Sequence, residues 1–219
     1  MKFIGDVHSL FPQYLAILSQ TEEPTIQLGD MGFGFEGVDP LPALPAKDRF
    51  IRGNHDDPVK CRAHPNYLGE FGYLEKEGIF FISGAYSIDK KWRVPGVSWW
   101  EEEELSQAQM YEALALYEKV KPEMVVSHDC PSVAALMFCN VLSDPWENSA
   151  KKFRYPSRTS QFLDQIYEVH APRQWVFAHY HINRRCQIDH TLFVCVDELG
   201  CYVDHEPWAC AVQSERVGK

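Results

Sequence analysis

Met1-Lys2-Phe3-Ile4-Gly5-Asp6-Val7-His8 opens the chain, and its reading decides the rest. Lys2–Ile4 is short and apolar enough for a buried strand, and Gly5-Asp6-Val7-His8 is the turn at its end. That turn sets a carboxylate and an imidazole two residues apart, so both can approach one ion. The theme returns along the chain. Gly29-Asp30 closes the strand-like run Thr25–Leu28, and Gly53-Asn54-His55-Asp56 closes the run at 48–52. His128-Asp129 closes 123–127, and His179-Tyr180-His181 follows 174–178. Open α/β sheets gather their sites at the carboxyl ends of strands. Mixed carboxylate and imidazole donors suit Mn, Fe, Zn, Ni or Co better than calcium or a structural, cysteine-rich zinc site.

Working outward, Leu10, Tyr14, Leu15 and Leu18 recur at helical spacing, with Pro12 in the first turn and Ser9 placed as a cap. Strand, helix and strand in succession signal a parallel unit. The Gly- and Pro-rich residues 31–47 read as loop, and 57–77 as loops and short turns. Residues 78–83 form a strand. The acidic run 101–104 reads as a solvated helix start. A helix over 105–120 follows, with Ala108, Tyr111, Ala115 and Leu116 as its apolar stripe, and Trp99-Trp100 anchors its entry. A short helix spans 133–138, and 144–156 is a polar loop carrying Trp146, Lys151, Lys152 and Arg154. The next helix, 159–169, turns Phe162, Leu163, Ile166 and Tyr167 to one face, with Ser157 or Thr159 as cap. Alternating residues at 192–196 and 201–203 close the sheet. With no repeat and no linker, residues 1–219 read as one domain.

The bulk properties bound the function. A chain of 219 residues, 45% apolar and 24% charged, can bury a full core. A net charge of −10 repels polyanions and argues against a nucleic-acid face. It leaves a small anionic substrate open, because bound cations reverse the local field. The seven cysteines are odd in number and lack Cys-x-x-Cys spacing, which argues against disulfides and thiolate zinc and for a reducing, cytoplasmic setting. The first residues meet Gly5-Asp6 too early for a signal peptide, and no run approaches a membrane span. The oligomeric state is not set by any of these features.

Taken in order, Gly5-Asp6-Val7-His8, Gly29-Asp30, Gly53-Asn54-His55-Asp56, His128 and Ala178-His179-Tyr180-His181 resemble the blocks of the calcineurin-like metallophosphoesterase superfamily. One Gly-Asp pair carries almost no information, whereas the ordered set is specific. The resemblance implies an α/β protein built as a four-layer α/β/β/α sandwich with two mixed sheets. It implies two divalent metal ions, manganese foremost and Fe, Zn, Ni or Co as substitutes. Asp6, His8 and His181 would hold the first, Asn54, His128 and His179 the second, and Asp30 would bridge them. His55 would face the phosphate as general acid or clamp, protonated for that work. The implied activity is hydrolysis of a small phosphorylated substrate, a phosphate mono- or diester, by in-line attack of metal-bound hydroxide. The competing readings are a nuclease or cyclic-nucleotide phosphodiesterase, a protein Ser/Thr phosphatase, and a non-catalytic binding scaffold. Intact ligands and an intact His55 speak against the scaffold.

Three departures from the pattern matter. Ala178 and Ser9 stand where glycine is usual. Gly29-Asp30-Met31-Gly32-Phe33-Gly34 lacks the Asp and Arg of the Gly-Asp-x-x-Asp-Arg-Gly block of protein phosphatases. That weakens the protein-phosphatase reading and removes the usual support of His55, a part that passes to Asp56 or another carboxylate. Arg52, Arg93, Arg184 and Trp92 are candidate substrate contacts, and Asp129 a candidate partner that orients His128. His64, His170, His190 and His205 read as ordinary structural or surface residues.

Overall fold

A computed structural model describes residues 1–35, 40–139 and 157–204. Strands β1 (Lys2–Ile4), β2 (Thr25–Leu28), β3 (Asp48–Ile51) and β10 (Cys201–Val203) make one sheet in the order β10-β1-β2-β3. The second sheet contains β4 (Phe71–Leu74), β5 (Ile79–Ile82), β6 (Met124–Ser127), β7 (Gln174–Phe177), β8 (Arg184–Ile188) and β9 (Thr191–Cys195), in the order β4-β5-β6-β7-β9-β8. The inner pairings are parallel and β10, β4 and β8 join antiparallel, so both sheets are mixed.

Period-two alternation sorts the strand residues into layers. Phe3, Ile26 and Ile51 meet Phe81, Val126, Val176 and Val194 in the core between the sheets. Their neighbours Ile4 and Phe50 turn outward to Phe11, Tyr14 and Leu18 of α1 (Phe11–Ser19) and to Cys61 of α2 (Pro58–Ala63). On the opposite flank, Phe80, Val125, Trp175 and Phe193 pack with α3 (Gln107–Val120), α4 (Ser132–Cys139) and α5 (Arg158–Val169). Helices, sheet, sheet and helices are therefore the four layers.

Several local expectations are corrected. Residues 57–77 hold a helix and a strand, because the Asp57 side chain accepts from Val59 and Lys60 and starts α2. In α3 the inward face is Met110, Ala113 and Tyr117, while Tyr111 is 65% exposed. Weakly contrasted apolar positions in that helix fit two faces, and only the neighbouring sheet selects one. The run at 101–104 is not fully solvated: Glu103 and Glu104 are buried, and Glu104 accepts from the backbone and hydroxyl of Thr159 at the start of α5. Ser157 caps α5 through Ser160 N–H. Ser9 caps nothing; its hydroxyl donates to the Gly32 carbonyl at 2.8 Å. The loop with Trp146, Lys151, Lys152 and Arg154 lies outside the described residues, as does His205. Among the described residues no helix is long and apolar enough to cross a membrane.

Candidate metal centre

The parallel strands β1, β2, β3, β6 and β7 end on one side of the sandwich, and their last turns carry Asp6 and His8, Asp30, Asn54 and His55, His128, and His179 and His181. The backbone in these turns is unusual. His8, Ser9, Asp30, His179 and His181 have φ of 46°, 66°, 53°, 68° and 50°. Left-handed backbone costs an L-residue about 1–2 kcal/mol, and such positions cluster where function demands a fixed geometry. The positive φ at Ser9 explains why glycine suits that position. Ala178 carries no such demand, since its φ is not positive.

Backbone ties hold the turns in register. The N–H groups of Val7 and His8 both donate to the Asp30 carbonyl at 2.9 Å. Asp56 accepts from the N–H groups of Met31, Gly32, Phe33 and Gly53 at 3.1, 2.7, 3.1 and 2.8 Å. Gly53 is required by space: a Cβ there would lie 2.1 Å from Asp30 Oδ1 and 2.7 Å from His128 Nε2.

Three groups of donors result: Asp6, His8 and His181; His8, Asp30 and His55; Asp30, His128 and His179. Within each group the ligand atoms lie inside 4.8 Å of one another. His8 Nε2 is 3.1 Å from His181 Nε2 and 3.8 Å from Asp6 Oδ2. His128 Nε2 is 3.3 Å from Asp30 Oδ1 and 3.2 Å from Asn54 Oδ1, and its Nδ1 meets the Leu28 carbonyl at 2.8 Å. Asn54 is turned by Ser87, whose hydroxyl accepts from Nδ2 at 3.0 Å and leaves Oδ1 facing His128.

These residues fit metal ions on two grounds. Asp6 Oδ2 is buried with no hydrogen-bond partner, although His181 Nε2 stands 2.8 Å away. A buried carboxylate oxygen faced only by imidazoles, one of them held above its ordinary value by it, stands where positive charge is favoured. The second ground is electrostatic. Burial opposes a charge on His128, yet Asp30 and Asp6 outweigh it and push the imidazole up to about 10. A site whose carboxylates hold a proton on a buried imidazole has a field built for positive charge.

His55 behaves differently from expectation. Burial, with Arg93, His8 and His128 adding to it against the pull of Asp30, pushes its imidazole down to about 4, so the ring is neutral here. Its Nε2 is 4.0 Å from Asp30 Oδ2, and its backbone N–H donates to Asp30 Oδ1 at 2.8 Å.

Other side chains have different duties from those expected. Arg52, 1% exposed, donates to Glu70 and to the Glu103 carbonyl and faces no substrate. Asp56 ties two loops together, and with four backbone donors on its two oxygens it is no catalytic partner of His55. The carboxylate directly at His55 is Asp30, while Asp89 stands one step further back and accepts from Arg93, whose Nη2 is 2.7 Å from His55 Nε2. Asp129 does not orient His128, which the Leu28 carbonyl does; it accepts from Tyr180 Oη at 2.9 Å and so braces the His179–His181 turn. Arg184 lies on β8 with its guanidinium 6.0 Å from the Phe138 ring centre. Trp92 is 74% exposed beside Arg93, the one candidate substrate contact found against His55. His64 and His170 contact the Pro42 and Pro122 carbonyls, away from the site. Ser87, Asp89 and Tyr180 went unread in the sequence; only the Tyr180 position, inside a ligand turn, carried a local signal.

The comparisons with known proteins agree with the geometry. Residues 2–183 match a family model described as calcineurin-like phosphoesterase. No curated protein matches the chain.

Proposed function

The chain belongs to the calcineurin-like phosphoesterase family, and from that premise we propose that it hydrolyses phosphate mono- or diesters of small molecules with two divalent cations, manganese foremost. The observation that carries this reading is the pair of donor groups, Asp6 with His8 and His181, and Asp30 with His128 and His179, built side by side from separate strand ends.

In this reading Asp6, His8 and His181 would hold one cation, and Asn54, His128 and His179 the other. Asp30, whose Oδ1 faces His128 at 3.3 Å and whose Oδ2 faces His55 at 4.0 Å, would be shared between them. Bound cations supply a water that is acidic enough to act as a nucleophile near neutral pH, and positive charge for the phosphoryl oxygens. The residues of the chain do the rest. The two carboxylates leave the cation pair net positive, matched to an anionic ester. Leu28 and Ser87 fix the faces that His128 and Asn54 present. His55 enters neutral and gains basicity only when a phosphate dianion lies against it, which suits a proton donor to the departing alkoxide.

The test is direct. Protein freed of metal and reconstituted with manganese is assayed on aryl monoester, diester, cyclic-nucleotide and dinucleoside-polyphosphate substrates, with metal content measured alongside. Hydrolysis that follows metal occupancy upholds the reading. Full occupancy with no turnover of any ester removes it and favours a binding scaffold.

A further inference from the structure

One segment reaches the site without contributing to the metal-ligand set. It runs from residue 86 to residue 98, with a 3-10 turn at Lys90–Trp92. Arg93, which ends that turn, is held firmly. Its Nε donates to Asp89 Oδ1 at 2.7 Å and its Nη1 to the Ser98 carbonyl at 3.0 Å. The fork then stands against His55, with Nη1 3.0 Å from Nδ1 and Nη2 2.7 Å from Nε2. A guanidinium only donates, and an imidazole offers at most one acceptor nitrogen. At most one of the two contacts is a hydrogen bond, and at least one N–H of the fork faces the ring without an acceptor. A phosphoryl oxygen is the acceptor this fork matches, by shape and by charge.

The rest of the arm is equally unusual. Trp92 is 74% exposed, and Ile88, Val94 and Val97 are 52%, 57% and 44% exposed. These side chains lie on the same arm that carries Arg93 to His55, and exposed apolar side chains grouped on one segment mark a contact surface. Lys91 Nζ lies 3.9 Å from the Trp92 ring centre. In a chain of net charge −10, Lys90, Lys91 and Arg93 fall within four residues of one another.

We propose that this arm is the specificity element of the site: Arg93 takes the phosphate, and Trp92 stacks on a planar aromatic ring carried by the same ester. The inference rests on the phosphoesterase reading and narrows its substrate class to phosphate esters that bear an aromatic ring, aryl or nucleoside. Rings stack on indole regardless of their hydrogen-bonding edges.

Non-hydrolysable probes test it without turnover. Calorimetry on manganese-loaded protein compares methylphosphonate, phenylphosphonate and a nucleoside 5′-phosphonate. The arm predicts that at least one ringed probe binds about tenfold tighter than methylphosphonate, the scale of a single base–aromatic stack. Trp92→Ala erases that preference, and its exposed position leaves the fold intact. Arg93→Lys, which keeps the charge and loses the fork, weakens every probe alike. Either order of the two ringed probes upholds the platform and identifies its source. Equal binding of all three probes by the wild type, or a preference that survives Trp92→Ala, overturns the proposal. Turnover of the corresponding esters, followed on the same preparations, judges the phosphoesterase reading separately. Trp92-dependent binding without turnover would remove the hydrolase and keep the arm; turnover blind to Trp92 would do the reverse.

Discussion

His128 Nε2 and Asp30 Oδ1 are 3.3 Å apart, and both side chains are sealed from solvent. Burial alone would neutralise the imidazole, but Asp30 and Asp6 push it up to about 10, so the metal-free site is protonated there at neutral pH. A metal-bound imidazole must be neutral. Metal uptake is therefore expected to release about one proton, and apparent affinity to fall about tenfold per pH unit on acidification. Calorimetry in two buffers of different ionisation heat measures the release directly. Uptake without a proton would show His128 already neutral. The linkage sign is fixed as well. His128 is raised above its ordinary 6.5, so its contribution to the stability of the metal-free protein is complete below that pH and lost as pH rises toward about 10. Denaturant midpoints across that window read it.

Asp30 shares one donor group with His128 and His179 and another with His8, a proposed ligand of the first ion, so its replacement is expected to act on both ions. Asp30→Asn keeps the shape and removes the charge. Metal analysis after dialysis is expected to find less than two ions per chain and an affinity lowered at least about tenfold for each. Two ions retained at wild-type affinity would contradict the bridge.

His55 stands with His8 and Asp30, and its proposed part is acid or clamp rather than ligand. His55→Ala is expected to keep both ions and to lower turnover by about a hundredfold, the usual scale for a lost acid–base group. Metal content and kcat measured on one preparation separate the two effects. Equal turnover would discard the acid or clamp role.

Asp56, the neighbour of His55, should fail in another way. Asp56→Asn keeps one carbonyl oxygen and turns an NH2 group toward two of the four backbone N–H groups, with an expected cost of about 3 kcal/mol, because those buried donors are left unpaired. Chemical denaturation should show the loss. Wild-type stability with abolished turnover would restore Asp56 to the catalytic set.

The site's raw material was legible in the sequence because it is local. Gly5-Asp6-Val7-His8 and His179-Tyr180-His181 each place their donors through one turn, and a strand's apolar run announces where the turn begins. Alternation at 192–196 and 201–203 likewise announces strands, and β9 and β10 lie there. Local spacing is set by backbone geometry, which a short stretch carries by itself. The face of α3 was not legible in this way, since its apolar residues offer two stripes and the sheet beneath chooses Met110, Ala113 and Tyr117.

Partners distant in sequence were decided only by the tertiary structure. Arg52 reads as a phosphate ligand until β3 buries it against Glu70 and the Glu103 carbonyl. Asp129 reads as the support of His128 until Leu28, from the other sheet, takes that place. Arg93 is 38 residues from His55, and no spacing rule joins them. The sequence by itself determined which donors exist and which strand ends present them. The packing of two sheets decided which donors face one another, because burial forces each polar group to take whichever partner the neighbouring layer brings.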